Sequence, residues 1–132
     1  MLKNRREAKV ALIALAAVLV VSASAYAEYD QQHVVGVMRN NITLMGEINA
    51  AATAEDWVLA AQKLYAIADG MYTISKYDPP RGSKADWEAT MGAFVNAAFV
   101  GIGACGVQDA DGLQSAIAKL KGLNRQGHGA HK

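Results

Sequence analysis

Donor side chains are few in this chain, and they are unevenly placed. Two of its three histidines fall in the last five residues, Gly127-His128-Gly129-Ala130-His131-Lys132 closing the sequence. His131 lies 18 residues after Leu113, five whole turns of an α-helix. A last helix that reached it would therefore carry it on the inward face of Leu113, although Gly127 and Gly129 favour fraying there. Met38 and Met45 stand seven apart near the other end and share a helical face. An imidazole and a thioether form a ligand pair for iron, and helical bundles build such sites between facing helices. Residue types alone leave a plainer reading open, with a solvated tail and methionines that only fill a core. His33 reads as a surface residue.

The single cysteine, Cys105, excludes an internal disulfide, a Cys-x-x-Cys redox pair and a cysteine zinc site. It reads as a small buried apolar residue, with an intermolecular disulfide as the alternative. No basic neighbour is present to favour a reactive thiolate. His128 and His131, three apart, could share a divalent metal, with His33 as a third donor. No carboxylate lies near them, since Asp111 is far upstream. No nucleophile–base pair, paired-carboxylate signature or phosphate-cradling loop is present, so the sequence does not read as an enzyme.

Residues 1–27 read as an export signal. Lys3, Arg5, Arg6 and Lys9 precede the twelve-residue apolar run Val10 to Val21, and Ala25-Tyr26-Ala27 gives an A-x-A cleavage pattern. Twelve residues fall short of the ~20 that a spanning helix needs. Cleavage after Ala27 implies a periplasmic protein of residues 28–132 with no membrane attachment. Those residues carry nine Lys and Arg against eleven Asp and Glu, so the formal +1 of the whole chain becomes −2. That balance excludes the basic footprint of a nucleic-acid binder.

Four segments of helical period follow. The first runs from about Asp30 to Ala52, with Val34, Met38, Asn41, Met45 and Ile48 in phase. The second opens at Thr53, with Asp56 three residues on as a weak capping box, and carries Trp57, Ala60, Leu64, Ile67, Met71 and Ile74. It ends before Asp78-Pro79-Pro80-Arg81-Gly82-Ser83, the one strong loop signal. The third starts at Ser83 or Lys84 and runs to about Val107 through Trp87, Met91, Phe94, Ala98, Ile102 and Cys105. The fourth, capped by Asp109 or Asp111, shows Leu113, Ile117, Leu120 and Leu123. Two short connections and one longer loop predict an all-α, antiparallel up-and-down four-helix bundle.

The last segment, Lys119-Leu120-Lys121-Gly122-Leu123-Asn124-Arg125-Gln126-Gly127-His128-Gly129-Ala130-His131-Lys132, resembles the end of the c′-type cytochromes. That family of exported four-helix bundles ends in Lys-Leu-x-x-Leu-x-x-x-Cys-x-x-Cys-His-Lys. Aligned without a gap, Gly127 and Ala130 replace the two haem-attaching cysteines, and His131 falls on the iron-ligating histidine. Met38, Met45 and Ile48 keep the spacing of the family's first helix. Pro80, Gly82 and Ser83, with Trp87 and Phe94, look like the approach to its third. The likeness covers residues 28–132.

The resemblance implies a haem bundle that departs from its family. Without cysteines at 127 and 130, covalent c-type attachment is excluded, and Val34 stands where the family has an arginine. The soluble b-type bundle cytochromes, which hold haem non-covalently between a methionine on the first helix and a histidine near the end of the fourth, are similar. The resemblance then implies His131 as proximal and Met38 as distal ligand, with Met45, Gly127 and Ala130 around the haem. Electron transfer with a redox partner protein, or gas binding, would follow. A homodimer is open to it, since related bundles often dimerise. The alternatives are a haem-less bundle acting as a binding or structural module, and a divalent-metal binder or sensor using His128 and His131.

Overall fold

The computed structural model describes the backbone of residues 28–131 and the side chains of residues 28–126. The expected signal segment and its cleavage point lie outside the described residues. Four helices follow one another: α1, Gln31–Thr53; α2, Trp57–Ile74; α3, Lys84–Gly106; and α4, Ala110–His131. No strand occurs among the described residues. Each helix packs against its neighbours in sequence, in the order α1, α2, α3, α4. This is the expected all-α four-helix bundle.

Helix starts follow from short polar side chains that accept otherwise unpaired N–H groups. Asp30 accepts from the N–H of His33, Asp56 from Leu59, Ser83 from Asp86 and Asp109 from Gly112. Asp109 is thus the cap of α4, and Asp111 sits within its first turn. The expected opening of the second helix at Thr53 is corrected. Thr53 is the last residue of α1, its hydroxyl donates back to the carbonyl of Asn49, and α2 begins at Trp57.

That shift has a cause in the way α1 ends. Glu55 adopts φ 54°. The N–H of Glu55 donates to Ala52 and that of Asp56 to Ala51, the paired bonds of a Schellman ending. The end of α3 repeats it. Gln108 has φ 56°, its N–H donates to Cys105, and that of Asp109 to Ala104. In both corners the residue after the left-handed one is the aspartate that caps the next helix. Two identical devices reverse the chain in the least space.

The core consists of the inward stripes. Ala60, Leu64, Ile67, Met71 and Ile74 of α2 are buried, as are Trp87, Met91, Phe94, Ala98 and Cys105 of α3 and Leu113, Ile117, Leu120 and Leu123 of α4. Trp57 and Ile102, expected in these stripes, are only partly buried. In α1 the buried set is Val34, Leu44, Ile48 and Ala51, so Leu44 rather than Met45 faces the centre. At Gly101 an added Cβ would come within 2.9 Å of Leu64 and 3.2 Å of Ala116, so α3 approaches both neighbours closely there. α3 is also, by length and composition alone, apolar enough to cross a membrane. In this fold it packs between α2 and α4.

Candidate functional site

The bundle is not evenly closed. Among the described residues, α2 packs extensively against α1 and α3, and α3 against α4, while α1 and α4 make little contact. Residues therefore line an open cleft along the α1/α4 seam rather than meet across it. One wall is Met38, Asn41, Ile42 and Met45 of α1, and the other is Leu120, Lys121 and Asn124 of α4. Ile67 of α2 and Phe94 of α3 form its floor. The space it encloses is about 60 Å³, well below the ~300–1,000 Å³ typical of small-molecule sites.

Met38 and Met45 are both partly buried against the core. Their seven-residue spacing brings them to the same cleft. Asn41, between them, turns its amide inward and donates to the Met71 sulfur at 3.1 Å. This contact steadies the α1 wall against the buried Met71 of α2. Ile42 is 71% exposed at the rim, a large apolar side chain with no cover.

The side chains of Gly127, His128, Ala130 and His131 lie outside the described residues, so their expected roles concern positions only. The backbone of α4 continues as helix through Gly127 and Gly129 to His131, where the glycines had favoured fraying. Position 131 follows Leu120 by eleven residues and Asn124 by seven, three and two turns to within about 20°. It therefore belongs to the row of α4 that forms the cleft wall.

His33 departs from its expected surface role. It is partly buried at the start of α1, and its Nδ1 shares a 2.6 Å hydrogen bond with the Tyr77 hydroxyl. Tyr29 stacks edge-on with both Tyr77 and Trp87, and the Trp87 indole N–H donates to the Ile74 carbonyl at 3.0 Å. This cluster fastens the start of α1 to the loop between α2 and α3. Val34 is 5% exposed and belongs to the core. Cys105 is a free, buried thiol. Desolvation on burial pushes its pKa up, which suits a core residue rather than a nucleophile. Among the described residues no three His, Cys, Asp or Glu side chains cluster as a metal site would require.

No family model matches this chain, and neither a curated protein nor a solved structure matches it. The site is read from its own geometry. Sequence reasoning found Met38 and Met45 but missed Lys121 and Asn124 as lining residues. The signal was present for Asn124, which belongs to the α4 row that runs on to position 131, whereas Lys121 stands about 80° round the helix from it.

Proposed function

We propose that this chain is a c′-like haem-binding bundle that holds haem without a covalent tether, in electron transfer or gas binding. The cleft between Met38 on α1 and the row of α4 leading to position 131 carries the reading. The order and spacing of the c′-like motifs support it, and export to the periplasm belongs to the same proposal.

The residues fit the group in chemistry. A thioether stands on one wall, the floor is Ile67 and Phe94, and the mouth opens to solvent beside polar Asn124 and Lys121. A macrocycle is far larger than the present cleft and needs a seam that can widen, and among the described residues α1 and α4 are the adjacent pair that packs least. In this proposal His131 would hold the iron, with Met38 as a candidate second ligand, and Met45 and Phe94 would pack against the group and keep water from it. Bound haem supplies a one-electron iron couple. Met/His ligation gives six-coordinate, low-spin iron with a raised potential. If Met38 only packs beside the iron, the site is five-coordinate and suited to binding a gas.

The spin state of the hemin-loaded protein tests the role of Met38. Met38→Ala is expected to convert low-spin iron to high-spin without loss of hemin. An unchanged spin state removes Met38 from the ligand set.

A further inference from the structure

Val58, Tyr65 and Tyr72 of α2 and Phe99 of α3 are large apolar side chains that are each between 51% and 69% exposed. Their places on the two helices bring them to one face. Lys63 pairs with Glu47 and Gly70 approaches Val37, so α1 covers that flank of α2. Tyr65 and Tyr72 each stand two residues further on, about 160° round the helix, and Val58 stands in the same row seven before Tyr65. On α3 the α4 flank is marked by Ala104, which Gly112 approaches, and Phe99 lies about 140° round from Ala104. The rows therefore flank the outer side of the α2/α3 seam and share no residue with the α1/α4 cleft.

Three half-exposed rings and a valine present roughly 400 Å² of apolar surface per copy. The chain holds no charged residue from Ala89 to Val107, so α3 brings no charge to this face. Gly92, Asn96, Gly103 and Gly106 follow Phe99's row at three- and four-residue steps, and all four are exposed. Nothing lies within 4 Å of a Cβ added at Gly92, Gly103 or Gly106, so packing among the described residues does not call for glycine there.

We propose that the α2/α3 face is the interface of a two-fold homodimer, with α2 and α3 each antiparallel to the same helix of the other copy. Gly101 and Leu64 stand level, since a Cβ at Gly101 would lie 2.9 Å from Leu64. A two-fold axis at that level pairs positions that are symmetric about it on each helix. On α3, symmetry about position 101 sets Phe99 on Gly103 of the other copy and Asn96 on Gly106. On α2, symmetry about position 65 sets Val58 on Tyr72 and Tyr65 on Tyr65. At the edge Lys76 comes level with Glu55 of the other copy, its opposite in charge. One axis thus seats large residues on small ones and matches the rim charges. The four side chains give roughly 800 Å² across two copies, and the helix surface around them carries the interface past the ~1,000 Å² that a stable dimer needs.

Sedimentation velocity of the purified protein over a concentration series tests the interface, and the wild type is expected to be a dimer at about 100 μM. Phe99→Glu and Tyr65→Glu are each expected to weaken the dimer about 100-fold by burying an unpaired charge. Their circular dichroism is expected to stay helical, since both positions are exposed. Gly103→Gln is expected to weaken the dimer by filling the space that takes Phe99, while its better helix propensity keeps the fold. Thr43→Glu, the same charge on an exposed position of α1, is expected to leave the dimer intact. A wild type that is monomeric at about 100 μM overturns the proposal, and its flotation with phosphatidylglycerol vesicles would assign the face to a lipid surface instead. A dimer that withstands Phe99→Glu and Tyr65→Glu together overturns it as well.

Discussion

Glycines on α3 show how one residue type serves two purposes in one helix. Nothing lies within 4 Å of a Cβ added at Gly103, so Gly103→Ala is expected to stabilise the fold by about 1 kcal/mol through helix propensity alone. At Gly101 the same methyl would press on Leu64, which is fully buried, and on the Ala116 Cβ. Crowding of this kind costs about 1–3 kcal/mol and offsets the propensity gain. Urea unfolding of the two variants should therefore give midpoints on opposite sides, or Gly101→Ala clearly below Gly103→Ala. The sequence could flag these glycines as unusual in a helix but not tell them apart. The difference depends on where α2 and α4 pass, and no local pattern encodes that. Cys105, by contrast, was legible: its phase with Phe94 and Ala98 already placed it on the inward face, where it is found.

At the scale of elements, three of the four helix starts were legible, and the corner that leads into α2 was not. Asp109, one of two caps the sequence offered for the last helix, was legible because a short acceptor side chain before an apolar stripe has a direct physical role. The corner after α1 was misread because the left-handed position that ends a helix is usually marked by glycine. Here Glu55 and Gln108 occupy it, and Thr53 resembled a cap in its place. The left-handed region is strained for residues with a Cβ, by about 1–2 kcal/mol. Glu55→Gly and Gln108→Gly are each expected to stabilise the protein by about 0.5–1 kcal/mol, the relief of strain being partly offset by a freer unfolded chain. Valine at either position is expected to destabilise it. Thermal unfolding of the four variants checks this. Similar effects at 55 and 108 would show that the two corners are energetically as well as geometrically alike.

Among the described residues the four helices form a ring with three packed seams and one loose one. Its class followed from the sequence because four stripes of one period, with short connections, have few other ways to bury themselves. Its opening did not. Met38, Asn41 and Met45 read as one face with Val34 and Ile48, yet Val34 and Ile48 are buried while the other three line the cleft. Helical phase places residues on a stripe without telling which neighbour covers each. The loose seam, the two methionines and the continuous α4 belong together if the cleft holds a haem whose tethers at 127 and 130 are absent. The most direct measurement is a hemin titration of the purified protein, followed in the oxidised and reduced visible spectra beside His131→Ala. The account predicts a shifted Soret band that saturates at one hemin per chain and is lost in the variant. A wild-type protein that leaves the spectrum of free hemin unchanged would contradict it.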